Sequence, residues 1–330
     1  MTIAAGRAGA VLRWGLSFGL LAVVGAQLAG RWESLASQVK AFEPGWFVAS
    51  LVLLAAYFVL GAEAWRRLLG ALGAPIPWRT AFHTLYYANV AKYLPGSVWG
   101  LVGRVVLCQR VGVPAAVASA ALVMDALCQV VAGVLVGLVA LPVFSTTALF
   151  GDYALYGVAA LVLALVGGMH PGLLNALLGA AEEGLARLGR KRALPRVPYR
   201  YGFVLAILAL YTLNWALLGA GFALLGEALS PTPLGPSQVL LLAGAFTIAW
   251  NVGVFALFAP AGLGVREAAI VLMLDAHFPG GWPALLALAG RAWIVLGEGL
   301  AFAAALALAP PQRAPEPAEG PEAPAAATRS

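Results

Sequence analysis

Charged residues are scarce in this sequence. Asp, Glu, Lys and Arg together make up only 10% of its 330 residues, whereas 62% are hydrophobic. Soluble globular domains contain about 25% charged residues, so this composition and the mean hydropathy of +0.89 exclude a soluble globule. They predict an all-α protein that crosses a membrane several times, because a helix satisfies its own backbone hydrogen bonds in lipid.

Cysteine and histidine are also rare, with two and three residues in the whole sequence. Cys108 and Cys128 lie in or beside apolar segments and have neither metal-binding spacing nor a disulfide pattern. The histidines, His83, His170 and His277, are too far apart to form a local metal motif. We therefore expect no metal ion and no cofactor.

Several marks of an enzyme are missing as well. The sequence contains no His-Glu-x-x-His zinc motif, no Gly-Lys-Ser phosphate loop, and no soluble stretch long enough for a catalytic domain. These absences argue against an enzyme.

The net charge of +6 does not indicate a nucleic-acid partner, because the basic residues are dispersed among apolar spans. Six of them crowd one loop, which is typical of a cytoplasmic loop: Arg187, Arg190, Lys191, Arg192, Arg196 and Arg200.

Six segments are apolar over the roughly 20 residues that a helix needs to cross the hydrocarbon core. In the first, the apolar run from Trp14 to Ala29 follows Arg7 and Arg13 and resembles a signal peptide, but it has no convincing small-residue cleavage site, which favours an uncleaved helix. The six predicted spans lie near residues 11–30, 45–64, 114–141, 153–169, 201–226 and 284–309.

Two proline-glycine breaks interrupt the apolar sequence, and their prolines, Pro95 and Pro260, are separated by 165 positions, half of the chain. The first break runs from Asn89 to Gly100 and the second from Pro260 to Glu267. At membrane depth, irregular backbone is tolerated only where it is buried in protein or lines a wet cavity. The arms of the first break, about 79–94 and 97–110, would be only about 20 to 24 Å long as helices. Each break is therefore a re-entrant hairpin, one broken crossing, or two full spans.

The basic residues in the loops exclude one of these three topologies. Loops 142–152, 227–237 and 275–283 contain no Lys or Arg, so we expect them on the non-cytoplasmic side of the membrane. A single crossing at the first break would put the six-cation loop on that side too, and is rejected; hairpins and paired spans both remain open. If the breaks are hairpins, each half consists of two spans, a hairpin and a third span. Because three spans cross the membrane an odd number of times, the second half would be inverted relative to the first, as in secondary transporters.

The sequence thus predicts six full transmembrane helices plus two re-entrant helical hairpins in an inverted repeat. Residues 1–309 would form one membrane domain, with repeats over about 11–141 and 153–309. Residues 310–330, rich in Pro, Ala and Glu, would form a disordered cytoplasmic tail. We expect a multi-pass protein of the bacterial inner membrane with both termini in the cytoplasm.

Ionisable residues inside these apolar regions are the best candidates for function, since each costs at least about 2.5 to 3.5 kcal/mol on insertion scales. Arginine guanidinium groups suit phosphate, and the N-terminal ends of broken helices, with their free N–H groups and positive dipole ends, favour anions. A headgroup of an anionic lipid is the expected ligand. Asp125 lies 30 residues after the first break's proline and Arg291 lies 31 after the second's, which predicts a shared cavity. The predicted binding residues are Asn89, Lys92, Pro95, Gly96, Arg104, Asp125, Pro260, Gly262, Gly264, Arg266, Glu267 and Arg291.

Other roles remain open for these charges. They could pair with each other and only fix the hairpins in place, and Lys92 could extend to the membrane surface. Asp125 or Glu267 could exchange a proton for coupling. Glu298, flanked by glycines at 297 and 299, fits a role in close helix packing, and Glu63 fits a surface pair with the two arginines that follow it.

The sequence resembles the lysylphosphatidylglycerol synthase transmembrane family, also called flippase-like domain proteins. The resemblance extends from about Val11 to Ala309 and rests on Leu94-Pro95-Gly96 with Gly100 and Arg104, and on Ala259 to Glu267; its most specific part is Gly262-Leu263-Gly264-Val265-Arg266-Glu267. It implies movement of lipids between leaflets. The aminoacyl-transferase domain of synthase members has no counterpart here, so we do not expect synthesis of lysyl-lipid.

We therefore expect a flippase that moves an anionic or phosphate-linked lipid, namely a phospholipid, a glycolipid or a polyprenyl-phosphate carrier. The alternative is a non-transporting membrane partner of an enzyme of envelope lipid or glycan biosynthesis. A membrane transferase is a third hypothesis, which the missing catalytic motifs oppose.

Overall fold

The computed structural model describes residues 42–93, 99–138, 154–187, 199–256, 259, 262–278 and 281–310. All regular structure in these residues is helical. The helices in chain order are α1 (Pro44–Ala71), α2 (Trp78–Asn89), α3 (Trp99–Arg110), α4 (Ala115–Leu138), α5 (Ala154–Gly168), α6 (Pro171–Arg187), α7 (Tyr201–Leu229), α8 (Pro236–Phe255), α9 (Val265–Leu274) and α10 (Trp282–Ala307). A 3₁₀ turn, Val90–Tyr93, follows α2 directly.

Prolines and glycines mark several helix boundaries. Pro44 and Pro236 occupy the first positions of α1 and α8, where the missing N–H would have had no partner within the helix. Gly281, in the left-handed conformation, precedes α10. These residues set where α1, α8 and α10 begin, and the apolar run after each of them forms one continuous helix.

Five helices, α1, α4, α7, α8 and α10, are long and apolar enough to cross a membrane. Their outward side chains are apolar too: Val52 is 62% exposed and Leu300 is 59% exposed. Polar side chains such as Ser50 and Asn214 are buried instead. A helix that is apolar on its exposed face suits lipid rather than water.

The predicted all-helical membrane architecture is confirmed, although its details differ in part. Predicted spans 45–64, 114–141, 201–226 and 284–309 correspond to α1, α4, α7 and α10. Span 153–169 corresponds to α5, whose 15 residues give only about 22 Å. Span 11–30 and the tail 311–330 lie outside the described residues. The number of full crossings and the re-entrant path of the hairpins stay predictions.

The two breaks have arms of unequal length. In the first, α2 and α3 have 12 residues each, or about 18 Å, close to the short arms predicted from the sequence. In the second, α9 has 10 residues but α8 has 20. At about 30 Å, α8 is long enough to cross the bilayer.

The helix contacts of the first half repeat in the second. In the first group, α1 packs on α2, α2 on α3, α3 on α4, and α4 on α1; α7, α8, α9 and α10 make the same four contacts in the same order. Between the groups, α4 packs on α7 and α8, just as α10 packs on α1 and α2. The most extensive contact joins α1 to α7. Two copies of one unit would produce this arrangement, whereas their inversion stays a prediction.

Small residues allow the central helices to approach closely. A Cβ atom on Gly219 would lie 3.1 Å from the Ala243 carbonyl oxygen, and one on Gly221 would lie 3.0 Å from Trp293. One on Gly297 would lie 2.3 Å from Leu54. Such contacts are how helices associate in lipid, where no hydrophobic effect drives them together. They bring α1, α7, α8 and α10 together around one central region.

Candidate functional site

Eight helices surround a cavity of about 260 Å³ near the middle of the bundle. Tyr57 and Asn214, which line it, lie close to the midpoints of α1 and α7. At about 30 Å³ per molecule, the cavity has room for roughly eight waters. Its other lining residues are Phe58, Gly61, Leu85, Tyr86, Asn89, Lys92, Arg104, Asp125, Ala126, Gln129, Val130, Trp215, Trp250, Asn251, Val254, Arg266 and Glu298.

Arg104 and Asp125 form an ion pair in the cavity wall between α3 and α4. Arg104 Nη1 donates to Asp125 Oδ2 at 2.8 Å, and the hydroxyl of Tyr211 donates to Oδ1. Trp65 lies under the guanidinium, 5.1 Å from Cζ to the ring centre. Within the described residues, the buried Nε of Arg104 has no hydrogen-bond partner. Asp125 thus fixes the position of Arg104 in the cavity wall.

Lys92 and Glu298 form a second pair, which joins the two halves. Lys92 Nζ donates to Glu298 Oε1, with side-chain exposures of 22% and 10%. Lys92 follows α2 in the first half, and Glu298 is on α10 in the second. Both line the cavity, so this pair is both a contact between halves and part of the site.

Arg266 provides the third cation from the start of α9. Its Cζ lies 3.8 Å from the ring centre of Trp250, the distance range of a cation–π interaction. Two glycines make room for this side chain: a Cβ on Gly253 would lie 2.5 Å from Arg266 Cγ, and one on Gly262 would lie 2.7 Å from its Nε. Gly262 has φ +66°, which glycine adopts without strain.

Neutral polar groups complete the lining. Trp215 Nε1 donates to Gln129 Oε1 at 3.0 Å, and Asn251 Nδ2 donates to the Thr247 carbonyl at 3.0 Å. Asn214 is 1% exposed, and neither its Nδ2 nor its Oδ1 has a hydrogen-bond partner within the described part of the chain. A buried amide without partners costs about 1 to 3 kcal/mol.

Glu267 and Arg291 form a pair outside the cavity lining. Arg291 Nη1 lies 3.6 Å from Glu267 Oε1, and the Glu267 side chain is only 2% exposed. Glu267 Oε2 also accepts a 2.7 Å hydrogen bond from the Gly264 amide at the start of α9. Gly264 has φ +81°. The N-terminus of α9 thus already holds an anion of its own chain.

The structure separates the predicted site residues into three groups. Asn89, Lys92, Arg104, Asp125 and Arg266 line the cavity. Glu267 and Arg291 pair with each other, and Gly262 and Gly264 shape the turn before α9. Pro95, Gly96 and Pro260 lie outside the described residues.

Sequence reasoning missed several lining residues. Gln129, Asn214, Trp250 and Tyr57 were not singled out as binding residues, because uncharged residues in a helix give no signal of their own. Glu298 is not among the predicted binding residues, because its flanking glycines fit a role in helix packing; in the structure it lines the cavity and pairs with Lys92. The cost of a carboxylate inside an apolar helix was the signal that could have placed it there.

A comparison with protein families matches residues 11–296 to the model of the lysylphosphatidylglycerol synthase TM region. The chain belongs to this family. The resemblance noted from the two breaks is therefore confirmed. The lysylphosphatidylglycerol synthase TM family is a membrane domain linked to lipid-related functions, and the protein is a multi-pass membrane protein. No curated protein sequence matches the chain at a significant level.

Proposed function

We propose that the protein is a flippase of the bacterial inner membrane, which moves a lipid with an anionic or phosphate-linked headgroup between leaflets. The headgroup would occupy the central cavity, held by Lys92, Arg104 and Arg266. Both termini would lie in the cytoplasm. The observation behind this proposal is that three cations from both halves meet in one cavity at the middle of the bundle.

The position of the cavity supports the proposal. Tyr57, Asp125 and Asn214 lie near the midpoints of three helices that are long enough to cross the bilayer. Ionisable residues at that depth are costly unless they face a water-filled or ligand-binding space. A lipid headgroup crossing between leaflets must pass this depth.

The size of the cavity also fits a headgroup without its tails. Pockets that enclose whole drug-sized ligands run from about 300 to 1,000 Å³, and this cavity has about 260 Å³. Acyl chains would stay in the surrounding lipid, where they lose no hydrophobic stabilisation. The contacts between the halves, which repeat from one half to the other, suit alternating access, in which one repeat rocks against the other around a central site.

Reconstitution into liposomes tests this function. We expect the wild-type protein to speed the movement of headgroup-labelled anionic lipids between leaflets, as followed by quenching of the outer leaflet. Arg104→Gln and Arg266→Gln are expected to reduce that rate by about tenfold or more, since a charge-assisted hydrogen bond is worth about 1.5 to 3 kcal/mol. Arg67→Gln removes a cation that is 54% exposed and is the matched control.

Two results would contradict the proposal. One is an equal loss of rate in the Arg67→Gln control, which would mean that overall charge, not the cavity, matters. The other is no accelerated movement of any anionic phospholipid, glycolipid or polyprenyl phosphate, together with co-purification of an envelope biosynthesis enzyme. That result would favour a non-transporting partner protein.

A further inference from the structure

The ionisable side chains that line the cavity do not cancel. Among the described residues they are three cations, Lys92, Arg104 and Arg266, and two carboxylates, Asp125 and Glu298. Their formal sum is one positive charge. The Glu267–Arg291 pair beside them adds nothing to that sum. Residues 94–98, 257, 258, 260 and 261, which belong to the two breaks, include no ionisable side chain.

A single excess charge in a low-dielectric site favours one type of ligand. Moving an uncompensated charge out of water is far more costly than moving a neutral set. One negative charge on the ligand makes the occupied site neutral. A zwitterionic headgroup would leave one positive charge, whereas a diphosphate or an added phosphate monoester would leave at least one negative charge.

The rest of the lining is neutral and suited to hydroxyl groups. Four amide side chains face the cavity: Asn89, Gln129, Asn214 and Asn251. Amides both donate and accept hydrogen bonds without adding charge. Neither polar atom of Asn214 has a partner within the described residues. An ammonium group on the headgroup would be repelled by the excess positive charge, while a hydroxyl would not.

We propose that the cavity selects lipids whose headgroup carries one net negative charge, from a phosphodiester, and otherwise neutral hydroxyl groups. This inference rests on the proposed function for its biological meaning, and it narrows the substrate class. It separates a monoanionic phosphodiester lipid from zwitterionic phospholipids and from polyprenyl diphosphates. The two carboxylates take part in selection by lowering the charge of the site from three to one.

Binding to the purified full-length protein tests the selection without transport. The probes are the dioctanoyl forms of phosphatidylcholine, phosphatidylglycerol, phosphatidylinositol and a phosphatidylinositol phosphate, and the readout is the dissociation constant of each. The wild-type protein is expected to bind the two monoanionic lipids at least tenfold more tightly than the other two. That expectation is conservative, because one unit charge at about 6 Å and an effective dielectric constant of about 20 changes affinity about 100-fold.

Charge variants make the test specific. Arg266→Gln brings the sum to zero and is expected to lose the preference for monoanionic lipid over phosphatidylcholine. Glu298→Gln raises the sum to two and is expected to shift preference toward the phosphatidylinositol phosphate. The double variant Lys92→Gln/Glu298→Gln removes one ion pair but keeps the sum at one, so its preference among headgroups is expected to match that of the wild type even if every affinity falls.

The outcomes separate this inference from the proposed function. Equal affinity for all four lipids, the tightest binding by the phosphorylated one, or a changed preference in the double variant would overturn the charge selection. Accelerated flipping without headgroup preference would leave the flippase function standing and overturn the selection. The expected binding preference without any flipping would support the selection and overturn the flippase function.

Discussion

The guanidinium of Arg104 on α3 and the carboxylate of Asp125 on α4 are joined by a 2.8 Å hydrogen bond. The second half contains the same connection with the charges exchanged, since Glu267 on α9 lies 3.6 Å from Arg291 on α10. In each half an ion pair thus ties the short helix after the break to the long helix that follows. Among the described residues, only the first of these two pairs lines the cavity, so the two halves do not contribute to its lining in the same way.

Loss of the Asp125 charge is expected to destabilise the protein strongly. Asp125→Asn would leave Arg104 buried without its counter-charge, and breaking a buried pair from one side costs about 3 to 5 kcal/mol. The measurement is the free energy of unfolding in detergent. Glu63→Gln is the control, because its arginine partners are 40% and 54% exposed and such pairs contribute about 1 kcal/mol or less. Equal costs in the two variants would contradict a buried pair at Asp125.

Two glycines one position either side of Glu298 are expected to respond differently to alanine. Gly297→Ala would place a Cβ 2.3 Å from Leu54 and 3.0 Å from Phe58, and such overpacking costs about 1 to 3 kcal/mol. Gly299 has no atom within 4 Å of that position, so Gly299→Ala is expected to leave stability unchanged or raise it slightly. Thermal unfolding of both variants measures the difference. A Gly297→Ala variant as stable as Gly299→Ala would show that α1 and α10 are farther apart.

Gly253→Ala is expected to displace Arg266 from Trp250. Its Cβ would lie 2.5 Å from both Cγ and Nε of Arg266, so the arginine must shift. A displaced guanidinium would lose its charge-assisted hydrogen bond to the headgroup, so the affinity for anionic headgroups is expected to fall by about tenfold or more. Gly70→Ala, which has open space around it, is the control. Unchanged lipid affinity in Gly253→Ala would mean that Arg266 does not bind the headgroup.

Asn214→Leu is expected to slow lipid movement without lowering the stability of the protein. Neither amide atom of Asn214 has a partner within the described residues, so replacing it removes a desolvation cost of about 1 to 3 kcal/mol. Stability should stay the same or rise, while lipid movement in liposomes falls. Thr212→Val, on the same helix but outside the cavity lining, is expected to change neither. A less stable Asn214→Leu variant would indicate that Asn214 supports packing rather than ligand binding.

Hydropathy was sufficient to predict most of the membrane helices, because lipid demands a long run of apolar residues wherever a helix crosses. Hydropathy did not reveal that the helices on either side of the two breaks differ in length. The sequence predicts the same kind of hairpin at both breaks, yet Pro236–Phe255, before the second break, forms one continuous 20-residue helix. The position of the preceding proline sets this length, and no symmetry between the halves fixes that position.

The ionisable part of the site was also predictable, since the cost of charge in lipid marks Arg104, Asp125 and Arg266 individually. Their partners were not. Tyr211 donates to Asp125 from 86 positions away, and Glu298 meets Lys92 from 206 positions away. Such pairs depend on how the helices pack, which one sequence does not reveal.

The bond between Lys92 and Glu298 has a mechanical consequence. It links the first half to the second, so any rotation that separates α2 from α10 must pull an ammonium group away from a carboxylate in a poorly hydrated region. In the proposed alternating access, that separation would add to the activation barrier of opening. A bidentate arginine at position 92 would hold the carboxylate through a fork of two donors, and the halves would part more slowly, whereas glutamine there would loosen them.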